Sequence, residues 1–453
     1  MAEQFIQHLL EQAKNTTALP FLADINQQGQ QAFARAVLPG RKTEAWKYTP
    51  LTRFSAEDYG VPENSQLNEA LTAATRLDDL DAAKIVFING TLSHELSDAM
   101  ALDEVTLFSQ ASADQQTLIR EQLGTLIADA GDSAHLFNDL NNAAVNEGVL
   151  LHVAKNSRLS RPLQLVQLTT SDQAAFQVNA RLLVVLESGA EATLIEQYDS
   201  DDEAQVSFTN AVTEIVIGDN ARLQHYRLQM MQEQAQHIGS TFVALNRDSH
   251  YKGFHLALGS QLTRNDVVIN HNVGGSHCEL NGVYIPQNEQ LVDFHTCVEH
   301  KVAHCTSDEV FRGIMNDKAK AVFNGRIHIH PQAQKTLAEL SNKNLLLTNN
   351  AEINTKPELE IYADDVKCAH GATVAQLEEK ALFYLQSRGV SKREAEVMLS
   401  FGFINELLEA LPHAAVTRTL RPLLARRFGR DQNLSRHLLE SLDDDARHAG
   451  ERA

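Results

Sequence analysis

The residues best placed to do chemistry are Cys368 and His370, in the run Glu360-Ile-Tyr-Ala-Asp-Asp-Val-Lys-Cys-Ala-His-Gly-Ala-Thr373. In an extended segment successive side chains point to opposite sides, so residues two apart share a face. A thiolate beside an imidazole suits a soft or borderline metal such as iron or zinc. Two ligands do not fill a coordination shell. Either distant parts of the chain complete it or a second protein does.

Other combinations invite less chemistry. His328 and His330 repeat the alternate spacing, and His295, His300 and His304 lie near Cys297 and Cys305. In a chain with 19 histidines, chance clustering accounts for each group. The four cysteines form no C-x-x-C pair, and Cys278, Cys297 and Cys305 read as small buried apolar side chains. Free thiols fit a reducing compartment. Pro39-Gly-Arg-Lys-Thr43 lacks the leading glycine of a phosphate loop, so ATP hydrolysis by this chain alone is not expected. G-x-G-x-x-G, H-E-x-x-H and G-x-S-x-G do not occur either.

Composition sets the context. The chain has 453 residues, 43% hydrophobic and 22% charged, with a net charge of −20. Such an acidic balance argues against nucleic acid as partner, because phosphate binding needs a basic surface. The beginning, Met-Ala-Glu-Gln-Phe-Ile-Gln-His, has neither the basic nor the apolar region of a secretory signal, and no apolar run approaches bilayer length. A cytoplasmic protein with no membrane span is expected.

The elements that must position the pair fall into three regions. Residues 1–147 are mostly helical: Phe5, Leu9 and Leu10 form one apolar stripe, and Leu118, Leu123 and Ile127 recur at helical spacing over 113–127. Within this region Ile85–Ile88 followed by Asn89-Gly90 predicts a small hairpin. Residues 148–374 are short β-rich runs separated by small or polar turns, as at Ser188-Gly189, Asp219-Asn220, Asp248-Ser249, Gly274-Gly275 and Asp317-Lys318. A ragged strand-turn repeat without hairpin signals favours a β-solenoid, with an antiparallel sandwich as the competing account.

Residues 375–453 turn helical again. A helix over 376–387 is broken at Gly389, and Ser391-x-x-Glu394 opens the next as a capping box. That helix carries Val397, Phe401, Ile404 and Leu408 on one face and Leu399, Phe403 and Leu407 on nearly the opposite one. One face then packs within the chain and the other is a docking candidate. The basic run Arg418, Arg421, Arg426, Arg427 and Arg430 reads as a solvated helix face, and the polar tail from Asp431 as partly disordered.

Phe311-Arg-Gly, Phe323-Asn-Gly-Arg-Ile, Gln334-Lys-Thr, Asn344-Leu-Leu-Leu, Thr355-Lys-Pro-Glu-Leu-Glu-Ile and Ala363 to Thr373 together resemble the core of the SufB/SufD family of iron-sulfur cluster assembly proteins. Arg41-Lys-Thr-Glu-Ala-Trp-Lys-Tyr-Thr49, Val86-Phe-Ile-Asn-Gly90 and Phe137-x-x-Leu-Asn-x-Ala143 resemble the branch of that family that pairs with SufB. The resemblance implies a right-handed parallel β-helix between helical ends. It implies a non-enzymatic scaffold that pairs with SufB through the β-helix and receives the ATPase SufC on its C-terminal helices. An isolated chain could pair with itself instead. On this resemblance His370 is the histidine facing a SufB cysteine, with Cys368 beside it. No tightly bound cofactor is then expected in the isolated chain, and a transient iron-sulfur cluster would form at the SufB interface. The alternative is an independent β-helix enzyme, metal-binding or acting on polysaccharide.

Overall fold

The computed structural model describes residues 2–428 apart from 64–66, 68–71, 74, 76, 78, 79, 99–101 and 173; the tail from Asp431 and Arg430 lie outside the described residues. Two helices open the chain, α1 (Ala2–Asn15) and α2 (Ala23–Phe33). Strands β1 (Ala83–Ile88), β2 (Thr91–Leu92) and β3 (Val105–Leu107) follow. Then come α3 (Ala113–Gln122), α4 (Thr125–Ala128) and α5 (Leu136–Ala144).

The central strands are β4 (Val149–Val153), β5 (Leu163–Thr169), β6 (Phe176–Leu186), β7 (Glu191–Ser200), β8 (Ser207–Ile217), β9 (Arg222–Gln229), β10 (Gln236–Leu245) and β11 (His250–Ala257). They continue as β12 (Leu262–His271), β13 (His277–Tyr284), β14 (Leu291–His300), β15 (Thr306–Met315), β16 (Lys320–Ile329), β17 (Leu337–Leu346), β18 (Glu352–Ile361) and β19 (Lys367–Ala375). The helices α6 (Glu379–Ser387), α7 (Lys392–Glu409) and α8 (Ala414–Phe428) close the described chain.

From β4 onward consecutive strands alternate between two sheets, one ordered β19-β17-β15-β13-β11-β9-β7-β5-β1-β2 and the other β18-β16-β14-β12-β10-β8-β6-β4-β3. All pairings within β4–β19 are parallel, so this is the expected parallel β-solenoid and not a sandwich of antiparallel hairpins. The turns between strands use left-handed residues at the predicted places: Gly189, Asn220, Asp248, Gly275 and Asp317 all have φ between 53° and 83°. Asn and Asp tolerate this region because a short polar side chain can bond locally.

The hairpin is also where Asn89-Gly90 predicted it, with φ of 46° and 78°. Its long strand has a second role: β1 lies parallel beside β5 and so begins one of the solenoid's sheets. Over 113–127 the expected helix is two helices, because Gly124 at φ 83° breaks it between α3 and α4.

Both outer faces of the solenoid are covered. Phe5, Phe54 and Phe137 from the N-terminal region pack on Phe208, Ile238 and Leu262 of the nine-stranded sheet. Phe401, Ile404, Leu408, Leu420 and Leu424 of α7 and α8 pack on Tyr226, Leu228, Phe254 and Val283 of the ten-stranded sheet. Arg264 pins the 41–49 segment down: it lies 3.8 Å from the Trp46 ring centre, donates to the Ala45 carbonyl at 2.7 Å and pairs with Asp266 and Asp293 at 2.8 Å each.

Between the sheets the filling is apolar at many positions, with Leu194, Ile215, Leu223, Val243, Phe294 and Phe311 in one interior cluster. A polar knot interrupts it. Glu196 receives Arg227 at 3.1 Å, His225 at 2.8 Å, Tyr198 at 2.7 Å and Thr213 at 2.8 Å, all fully buried. Burial opposes the Glu196 charge, yet Arg227 and His225 outweigh it and hold the carboxyl far below the usual range. Cys278, Cys297 and Cys305 are buried, as small apolar side chains would be.

Candidate functional site at the open end of the solenoid

The first coil and the last end differently. At the start, β2 folds antiparallel over β1 and β3 antiparallel over β4. At the other end β18 pairs only with β16 and β19 only with β17 among the described strands. Each therefore presents a row of backbone N–H and C=O groups with no strand beside it. Pro357 sits within β18, and proline is tolerated in sheets only where a ladder bond can be dispensed with, as on an edge. β19 carries no proline, so its edge can accept a full strand.

Cys368 and His370 lie on β19 opposite Ala338 and Leu340 of β17. Ala338 and Leu340 belong to the interior cluster, and register partners in a parallel ladder face the same side. Both side chains thus stand at the top of the interior column, on the last rung. Cys368 is half-buried against that cluster, and burial pushes its thiol up, with the Ala338 backbone offsetting part of this. His370 is exposed, and no hydrogen bond or ion pair ties its ring to a described residue. Around them Ile361, Tyr362 and Val374 are exposed on the same final coil, Tyr362 to 61%. The arrangement offers an untethered imidazole and a protonated thiol on one strand face, at an apolar and unpaired surface.

The second predicted surface is on α7. Its capping box forms as expected, Ser391 Oγ accepting from the Glu394 N–H at 3.2 Å and the Glu394 carboxylate accepting from the Ser391 N–H at 3.0 Å. Val397, Phe401, Ile404 and Leu408 are buried within the chain, the inner face of the pattern. Leu407, assigned from the sequence to the opposite face, is buried in the same apolar cluster, because α8 folds back and covers that side. Leu399 and Phe403 stay half-buried. Phe403 is also held from below: its carbonyl accepts from Arg312 at 2.5 Å, and Arg312 pairs with the Glu406 carboxylate.

The sequence reading missed the more exposed apolar surface next door. On α6 no residue is buried, and Phe383 and Tyr384 are 73% and 57% exposed. Two adjacent aromatics on a short helix after the last strand were the available signal. The basic run on α8 is likewise not wholly solvated. Arg427 donates to the Leu258 carbonyl and to Gln290, each at 2.6 Å, and Arg421 pairs with Glu409 at 3.2 Å.

A cleft of about 660 Å³ opens on the other side of the molecule, between the N-terminal region and the nine-stranded sheet; Trp46, Arg264, Asp266, Cys297, Arg326 and Glu360 are among its walls. No described helix is long and apolar enough to cross a membrane.

Comparison with known proteins gives the family to which this fold belongs. Residues 167–403 match the model of the SUF system FeS cluster assembly SufBD core domain, and residues 1–165 match that of the SufBD protein N-terminal region. An iron-sulfur cluster assembly SufBD family protein of Synechocystis is 31% identical over 93% of this chain and 95% of its own length. The iron-sulfur cluster assembly protein SufD of Escherichia coli is 33% identical over 89% of this chain and 92% of its own. SufD of Bacillus subtilis is 25% identical, covering 85% and 88%. With core, N-terminal region and near full-length relatives all matching, the chain belongs to the SufBD family of iron-sulfur cluster assembly proteins.

Proposed function

We propose that the chain is the non-catalytic scaffold subunit of an iron-sulfur assembly complex, joined to a SufB solenoid at its open end and to the ATPase SufC at its C-terminal helices. The observation that carries this reading is the bare last coil, where β18 and β19 have no outer neighbours and Cys368 and His370 top the interior column. Open solenoid ends invite pairing with another sheet, and a second solenoid of the same family has the matching strand spacing. Iron and sulfide enter as cargo: His370 supplies one imidazole ligand, SufB supplies others, and Cys368 either joins them or shields the site. No tightly held cofactor is needed in the isolated chain. The isolated chain can use the same edges to pair with a second copy.

For the ATPase, α6 and α7 offer Phe383, Tyr384, Leu399 and Phe403 at the surface. Such an apolar patch gains about 25 cal/mol per Å² on burial, less the costs of association. Because α7 packs directly on the solenoid, movement of a bound ATPase can be transmitted to the strands.

The test is co-expression with SufB and SufC, comparing wild type with His370→Ala. The complex should assemble with unchanged stoichiometry while cluster formation falls. Loss of the complex with normal cluster chemistry in what remains would make His370 structural. For the second surface, Phe383→Ser and Leu399→Ser should weaken SufC binding in calorimetry; unchanged affinity in both folded variants would place the ATPase elsewhere.

A further inference from the structure

The outer face of the nine-stranded sheet brings together Glu299, His328 and His330, three metal-competent side chains one coil below the open end, on the opposite face of the strands from the interior column and away from the C-terminal helices. From these we infer a binding site for a divalent first-row cation such as zinc. Their ligand atoms lie within 4.8 Å of one another. Glu299 Oε2 is 2.7 Å from His328 Nδ1 and 2.7 Å from His330 Nε2.

The fold dictates this meeting. Glu299 on β14 and His328 on β16 are register partners in adjacent coils, and His330 follows His328 by two residues on the same side. The parallel ladder therefore sets Glu299 beside His328, and His330, just past the end of β16 with its N–H bonded to the His300 carbonyl at 3.0 Å, adds a second imidazole, together the donor set that suits zinc and related ions. Without a metal, His330 Nε2 is hydrogen-bonded to Glu299 Oε2, while His328 Nδ1 lies against the same oxygen with Arg326 Nη2 3.5 Å away; a cation would take the place of these contacts. The separations of 2.7 Å must open to ~3.3 Å for tetrahedral bonding at ordinary metal-ligand distances, which a rotation of the Glu299 carboxylate supplies.

The surroundings are compatible. All three side chains are between 16% and 35% exposed, so an ion has access while the ligands are held. Arg326 approaches His328 at 3.5 Å, but its charge is paired with Glu360 at 2.9 Å. Glu360 is itself the register partner of His328 in the next coil, close enough in the ladder to offer a further carboxylate. Cys297 Sγ lies 3.4 Å from the other Glu299 oxygen, and Tyr362 stands edge-on to His328. Cys297, Arg326 and Glu360 line the neighbouring cleft, which leaves room for water or a small ligand on an open coordination position.

The test titrates the purified full chain with Co²⁺, read by its visible absorption, and with Zn²⁺ by calorimetry. Wild type and His370→Ala should both bind one equivalent with a tetrahedral-type cobalt spectrum. His330→Gln should lose that equivalent, and Glu299→Gln should weaken it at least tenfold. Affinity and spectrum unchanged in folded His330→Gln, or their loss in His370→Ala alone, would overturn the assignment. Thermal melting gives a second readout: Zn²⁺ should raise the Tm of wild type and not of His330→Gln, and an equal rise in both would also overturn it.

Discussion

The two ends of the solenoid are built from the same parallel coil yet finished in opposite ways. At the first end short antiparallel strands, β2 of two residues and β3 of three, turn back over the sheets and leave little edge to pair. At the last end β18 and β19 run ten and nine residues with nothing beyond them among the described strands. The glycines differ in the same sense: a Cβ on Gly282, which faces the interior, would sit 2.2 Å from the Phe311 ring, whereas one on Gly371, on the outer face of the last coil, would meet nothing within 4 Å. The central coils are committed to their own packing, and the final coil is left open, as the proposed pairing requires.

That contrast can be broken or sharpened by substitution. The largest effect is expected inside: Glu196→Ala leaves Arg227 and His225 buried without their carboxylate and should cost about 3–5 kcal/mol in urea unfolding. A cost near zero would mean that water reaches the middle of the solenoid. Gly282→Ala should cost about 1–3 kcal/mol by overpacking, and Gly371→Ala in the isolated chain less than about 0.5 kcal/mol. Equal costs at the two glycines would erase the distinction between committed and open coils.

A pH effect isolates one interior group. Glu309, facing the interior between Leu280 and Leu340, is pushed up to about 8 by burial, and although Thr296 is nearby no well-formed hydrogen bond reaches either carboxylate oxygen. Folded chain therefore keeps this proton after unfolded chain has released it near 4.5. Its share of stability is present below pH 4.5 and is lost as pH rises toward 8. Asp199, pushed up to about 7 by burial, acts with the same sign but is common to both proteins compared. Urea midpoints of wild type relative to Glu309→Gln should accordingly fall between pH 4.5 and 8; a flat difference would show that Glu309 is ionised in the fold. The smallest effect on stability is expected at His370→Ala, within about 0.5 kcal/mol, since its ring is exposed and untethered.

Much of this architecture was legible because turns and caps are local. Asn89-Gly90, the left-handed corners at Asn220 and Asp317, and the Ser391/Glu394 box each act over a few residues. Contacts between coils were not legible, because the repeat is uneven: register partners are 26 residues apart at Gln236 and Leu262 and 32 apart at Lys320 and Glu352. Glu196 with Arg227, and Glu299 with His328, meet only once that register is known. The Cys368/His370 spacing did show a shared face, but not that the face looks into the interior column at an uncovered end. Leu407 went to the wrong side because helical periodicity cannot foresee a second helix folding over the first.

The most direct measurement is amide hydrogen exchange along β17–β19 in the isolated chain and in the proposed complex with SufB. In a parallel edge strand about half of the amides have no partner, so β18 and β19 should exchange quickly when the chain is monomeric. On complex formation both strands should become protected, while the already paired β6–β14 stay unchanged. Protection confined to the outer helices, with β18 and β19 still exchanging as in the monomer, would contradict the open end as the partner surface.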